Sequence, residues 1–288
     1  MRNFKLTLEY DGTRYSGWQV QKNARTVGGA FAEALSGVLK ESPPIFAAGR
    51  TDAGVHAIAQ VVSFRSRGTL APRELKERLN DRLPADINVL EIETAPLSFH
   101  ARHAAISRTY RYQVSRRRTA FGKRFVWWVR SPLDLTVLGE SASAISKAQE
   151  FGSFAEGDGD EEEDGEGRKS SRVRVREAEW REEDDLVVFR IRADRFLWRM
   201  VRRLVGTMVA ASLGQIDRDS VARWLKVPSR EPARFTAPPS GLFLEAVEYG
   251  AAVGADPPSS GGGARPDWNR APHRERPRAP IRPKRRMN

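Results

Sequence analysis

Between residues 47 and 57 the chain reads AAGRTDAGVHA. One carboxylate, Asp52, follows Arg50 and Thr51 and stands two residues before Gly54. An aspartate close to a glycine is ordinarily a turn residue. The surroundings of this one suggest chemistry. A nearby arginine favours the ionised form of a carboxylate. Small residues on both sides let a bulky ligand approach the backbone. A charged carboxylate in such a loop can serve as nucleophile or as base.

Other chemistries find little support. The 288 residues include no cysteine, which removes disulfides, thiol catalysis and zinc–cysteine sites and fits a reducing, cytoplasmic setting. The histidines are His56, His100, His103 and His273. The HARH pair has no accompanying carboxylate pattern, so these read as surface or packing residues and no metal site is expected. The VGG at residues 27–29 lacks the Lys-Ser/Thr of a phosphate loop, and no G-x-S-x-G elbow occurs. No cofactor is expected.

The formal net charge of +12 suggests a polyanionic partner, most simply a nucleic acid. Residues 251–288 carry nine Lys/Arg against three Asp/Glu and read as a disordered Pro/Gly/Arg-rich tail, either solubilising or RNA-binding. VSRRRTAFGKR (114–124) and RMVRR (199–203) place further positive charge in the body of the chain. Residues 156–167, EGDGDEEEDGEG, read as a disordered acidic insertion. No apolar run is long enough to cross a bilayer, and the N-terminus alternates like a strand rather than a secretory signal.

The elements that must hold Asp52 follow from periodicity. Phe4, Leu6, Leu8 and Tyr10 alternate as in a half-buried strand. Thr26 caps a helix carrying Val27, Phe31, Ala34, Leu35, Val38 and Leu39, whose first turn is weakened by Gly28 and Gly29. AQVVSF (59–64) is a strand, Pro72 opens a helix with a Leu75–Leu79–Leu83 stripe, and INVLEIET and RTYRYQVS are strands. The second part repeats the theme. It has a helix over about 135–150, paired strands SRVRVREAEW and LVVFRIRA, a long helix over 195–214, a short helix at SVARWL and a last strand, LFLEAVEY. This predicts an α+β fold: two similar halves around a mixed, largely antiparallel central sheet with helices packed on it. The halves are 1–105, carrying the catalytic loop, and 106–250, followed by the tail.

These motifs occur in an order that resembles the tRNA pseudouridine synthase A (TruA) family. GRTDAGVHA is similar to its signature. LEYDGTRYSGWQVQ, SFHARHAAISRTYRYQV, FLWRMVRRLVGTM and PSGLFLEAVEY are similar to four further family segments, and together they span about residues 3–250. The resemblance implies that Asp52 is the catalytic aspartate and that Tyr110 stacks on the target base. It implies that Arg50 helps hold the target nucleotide out of its helix, that Arg202 pairs with the aspartate, and that Leu242 packs beneath the base. It also implies a homodimer acting on uridines 38–40 of the tRNA anticodon stem-loop. Two rivals are an RNA-binding protein with a silent site and a hydrolase using Asp52, but the first does not need the acid and the second lacks a partner to activate water.

The reaction so implied suits the inventory. Uridine becomes pseudouridine when N1–C1′ breaks, the uracil turns, and C5 joins C1′ with a proton lost from C5 and one gained at N1. It needs no redox cofactor or metal. It needs an ionised carboxylate, an aromatic platform for the freed base and cations for phosphates, with the base turned out of its stack. Attack on the sugar, attack on the base and abstraction of the C2′ proton all fit one carboxylate.

Overall fold

The structure, a computed structural model, describes residues 1–156 and 170–250. The acidic stretch beyond Glu156 and the basic tail lie outside the described residues. Nine strands form one sheet: β1 (Arg2–Tyr10), β2 (Ile45–Ala47), β3 (His56–Ser66), β4 (Ile87–Ala95), β5 (Ala105–Ser115), β6 (Trp127–Trp128), β7 (Val175–Glu183), β8 (Leu186–Ala193) and β9 (Leu242–Tyr249). The helices are α1 (Val27–Leu39), α2 (Pro72–Asn80), α3 (Leu135–Lys147), α4 (Met200–Ser212) and α5 (Ser220–Lys226).

The strand order is β4-β1-β3-β9-β5-β8-β7, with β2 on β3 and β6 on β5. It contains the same arrangement twice. In the first half β1 lies between β4 and β3; in the second, β5 lies between β9 and β8, and all four of these pairings are antiparallel. The halves meet where β3 and β9 pair in parallel, His56 opposite Phe243 and Ala57 opposite Leu244. The α+β reading with two similar halves holds.

This seam explains the loop that carries Asp52. β1 occupies one edge of β3 along its whole length, so β2 and β9 must share the other. β2 pairs with residues 62–64 and β9 with 56–57. The chain leaving β2 cannot follow β3 down to its start, because β9 is there. Residues 48–55 are displaced from the ladder and cross the seam as a loop.

One hydrophobic core joins the layers. It includes Phe4 and Leu6 of β1, Phe31 of α1, Leu75 of α2, Leu138 of α3, Phe189 of β8 and Leu204 of α4. Each such buried side chain contributes roughly 1.5–3 kcal/mol relative to exposure. Thr26 caps α1 through Gly29 N (3.1 Å), and Pro72 stands at the start of α2, as their types predict. Gly28 does not merely weaken α1. A Cβ there would lie 2.4 Å from the Trp18 carbonyl oxygen, which accepts from the Gly28 N–H at 3.0 Å. The glycine lets the 15–18 segment lie against the helix start.

The long helix expected over 195–214 begins late, at Met200. Residues 195–199 form an irregular turn, and Arg199 closes it in the left-handed region with φ of 58°. That conformation costs a non-glycine residue about 1–2 kcal/mol. The strand expected from SRVRVREAEW likewise starts at Val175 rather than at its first residues. Among the described residues no helix is long and apolar enough to cross a membrane.

Candidate active site

The loop of residues 48–55 is fixed by buried polar anchors on its flanks. Ala48 N still bonds to Val61 O at 2.8 Å, the last rung of the β2 ladder. Beyond it the Gln60 side chain replaces the strand: its amide nitrogen donates to Gly49 O (2.7 Å) and its oxygen accepts from Gly49 N (3.3 Å). Gln60 is fully buried, so both groups would otherwise go unpaired. Tyr10, at the end of β1, shares a 2.8 Å hydrogen bond with the Thr51 hydroxyl. The 15–18 segment closes the loop from outside, with Trp18 N bonded to Thr51 O (3.0 Å) and Gly54 N to Tyr15 O (3.1 Å). At Gly17, φ is 88° and a Cβ would lie 2.5 Å from Thr51 O, so this position requires glycine. Just past the loop, the buried His56 ring is fixed between Gly12 N and the Asp11 carboxylate at Nδ1 (3.0 and 3.2 Å) and Arg124 O at Nε2 (3.1 Å).

Asp52 sits at the apex of this loop and is met from the second half. Arg202, in the first turn of α4, donates from Nη1 to Asp52 Oδ2 at 3.1 Å. Its Nε bonds to Ala237 O at 2.8 Å, so the guanidinium is held from both sides. The pair is largely shielded, with side-chain exposures of 13% for Arg202 and 20% for Asp52. The other carboxylate oxygen, Oδ1, accepts from the indole N–H of Trp198 at 3.1 Å. The two oxygens therefore have different partners, four residues apart in the chain.

Tyr110, in the middle of β5, lies beside the loop, at Gly49. It is 8% exposed, a Cβ on Gly49 would come within 3.6 Å of its hydroxyl, and Phe196 meets its ring edge-on with centroids 4.8 Å apart. Burial pushes the phenol well above its ordinary range, and the nearby Asp52 charge adds to that. Tyr110 is thus a neutral ring at physiological pH. Tyr10 beneath the loop is likewise raised, to about 12, by burial against the opposing bonds from Thr51 and Gln60.

The structure pairs Asp52 with Arg202 and sets Tyr110 against Gly49 of the same loop. Arg50 is exposed, and no hydrogen bond or ion pair ties it to another described residue. Leu242 is buried opposite Tyr112, whereas the residue opposite Tyr110 is Leu244. Sequence reasoning missed Trp198, Phe196, Gln60 and Tyr10. Gln60 looked like an ordinary strand residue, and Trp198 was hidden in an apparent helix. A polar residue inside a buried strand, unpaired in the sequence pattern, was the one available signal for Gln60.

Among the described residues no group of three or more His, Asp or Glu could hold a metal ion. The arrangement offers one carboxylate with both oxygens held, a neutral aromatic ring beside its loop and a free cation two residues away.

The chain is similar to known proteins. A family model described as tRNA pseudouridine synthase matches residues 7–103 and 149–250, which contain Asp52, Trp198 and Arg202. The chain is 39% identical over 250 residues to the tRNA pseudouridine synthase A of Moorella thermoacetica, covering 85% of this chain and 98% of that one. It is 36% identical over 252 residues to that of Pseudothermotoga lettingae, covering 86% and 100%. It is 38% identical over 248 residues to that of Halalkalibacterium halodurans, covering 84% and 91%.

Proposed function

From the premise that this chain belongs to the tRNA pseudouridine synthase A family and isomerises uridine to pseudouridine in tRNA, we propose that Asp52 is the catalytic nucleophile and that its targets are uridines 38–40 of the anticodon stem-loop. The observation that carries this is the Asp52 carboxylate itself, shielded and bonded at both oxygens, on a loop whose Gly49 lies by the Tyr110 hydroxyl. A carboxylate so placed near RNA phosphates has no use in binding alone, since it repels them. The Arg202 guanidinium offsets that charge and orients the acid.

The other roles follow from position. Tyr110 supplies a ring on which the freed uracil stays stacked while it turns; a phenol that stays neutral keeps that surface free of charge. Arg50, exposed and unpaired, reaches toward the phosphate or the gap left by the flipped nucleotide. Leu242, opposite Tyr112, extends the apolar ladder one side-chain step along from Tyr110. The reading extends to a cytoplasmic homodimer whose two copies both contact the RNA, which the family resemblance supports and the solution molar mass tests.

The direct test is tritium release from tRNA labelled at uridine C5, since C5–C1′ bond formation must expel that atom. Asp52→Asn should bind tRNA and release at least ~10³-fold less tritium. Near wild-type release, with deamidation excluded by mass spectrometry, would refute the role of Asp52. Pseudouridine mapped outside positions 38–40 would refute the assigned targets.

A further inference from the structure

We propose that Trp198 is a positioning residue for the reaction: its indole N–H and the Arg202 guanidinium together hold the Asp52 carboxylate in one orientation, aimed before the uridine arrives. This rests on the reading of Asp52 as the reacting acid.

An aspartate carboxylate turns easily about its last bond, because that torsion has only a broad two-fold preference. One partner on one oxygen leaves much of this freedom. Here the donors differ and sit on different oxygens, Arg202 on Oδ2 and Trp198 on Oδ1, each at 3.1 Å. Two fixed points define the plane of the group. Holding a reacting group in its productive geometry removes an entropy cost from the reaction step.

The chain is shaped to deliver this indole. Residues 195–199 depart from the helical path that their sequence invites, and Arg199 adopts the left-handed conformation. Glu156 holds that turn: its backbone N–H donates to Trp198 O (3.0 Å), and its carboxylate accepts from Arg199 Nη1 (2.7 Å) and Arg203 Nη2 (2.9 Å). The Arg199 guanidinium also lies over the indole, 5.2 Å from its centroid. Within this turn Leu197 enters the core, Phe196 meets the Tyr110 ring and Trp198 meets Asp52. Strained backbone held by its surroundings is concentrated at functional sites.

Packing does not account for the residue. Trp198 is 45% exposed, so nearly half of a large apolar side chain remains in solvent. A tryptophan kept for burial would be deeper, and phenylalanine would serve as well at the surface. What tryptophan adds is one N–H donor, and that donor is on the catalytic acid.

The test uses the full chain and unmodified tRNA. Trp198→Phe keeps an aromatic ring and removes the donor. Its kcat, and its single-turnover rate, should fall about tenfold or more while KM for tRNA stays within about twofold. Trp198→Phe at wild-type kcat, or with KM raised and kcat unchanged, overturns the proposal; the second result would make Trp198 an RNA contact. A parallel measurement needs no activity. The Trp198 indole N–H resonance, assigned through its own connectivities in the wild-type chain, should shift and exchange faster with solvent in Asp52→Ala. An unmoved, equally protected resonance overturns the proposal even if Trp198→Phe fails to fold. An active Asp52→Asn removes the underlying reading as well, whereas an inactive Asp52→Asn beside a fully active Trp198→Phe removes only this inference.

Discussion

The connection from β2 to β3 and the connection from β7 to β8 occupy the same place in the two halves of the sheet. In the second half it is a two-residue hairpin turn, Asp184–Asp185, between strands of nine and eight residues. In the first half the equivalent strand is cut to three residues, and its connection opens into the loop that carries Asp52. The hairpin keeps its ladder of backbone hydrogen bonds up to the turn, and Arg116 and Arg117 of the neighbouring strand end bond to Asp184 O and the Asp185 carboxylate from outside. The loop has lost those bonds to β9 and depends on side chains, Gln60 at Gly49 and Tyr10 at Thr51. The same topology gives a tight turn where the strand edge is free and an open loop, with Asp52 at its apex, where a neighbouring strand takes it.

The largest expected effect removes the comparison by reaching both halves at once. All five tyrosines have raised phenol pKa values: Tyr10 and Tyr15 to about 12, the first by burial and the second by burial and the Asp86 carboxylate. Tyr110, Tyr112 and Tyr249 are also shifted upward, each chiefly by burial. A phenol whose folded pKa exceeds its unfolded value contributes stability that is complete below about pH 10 and is lost as pH rises through the folded value. Tyrosinate absorbance should therefore appear together with loss of circular dichroism, between about pH 10 and 12. Free tyrosinate at pH 10.5 with the fold intact would contradict the burial of these rings.

Arg202→Met tests the contribution of the second half to the loop of the first. It leaves Asp52 shielded without its cation, and kcat should fall about 10²-fold with only modest loss of tRNA affinity. Gln60→Leu acts within the first half. It strands the Gly49 N–H and C=O, so stability should fall by about 1–3 kcal/mol in urea and kcat by about tenfold. Retained activity would show that the loop needs no such anchor. The smallest effect belongs to the hairpin. Asp184 is exposed with φ of 52°, so Asp184→Gly should raise stability by about 0.5–1 kcal/mol and leave kcat unchanged. A change in kcat would mean the two connections are not as independent as their positions imply.

Much of this was legible from residue types. The alternation from Phe4 to Tyr10, the Thr26 cap and the Leu75–Leu79 stripe each specify a local element, and each is present. The order of motifs singled out Asp52, Tyr110 and Arg202, and the structure pairs the first with the last. What escaped depends on distant chain. β2 is too short to show a period, and it is short because β9 competes for β3. The start of α4 was misplaced because apolar spacing carries no sign of a left-handed Arg199, whose turn is held by Glu156, more than forty residues earlier. Gly28 looked like a weak helix residue until the Trp18 carbonyl was seen against it.

The ion pair between Asp52 and Arg202 spans 150 residues. Contacts this far apart in sequence form late, because they close a large loop only after both ends have taken shape. A molecule with one half folded holds an acid without its cation, or a cation without its acid. The Asp52–Arg202 pair in this chain is therefore a report on completed folding. A molecule with only one half in place, whether emerging from synthesis or recovering from heat, lacks that pair.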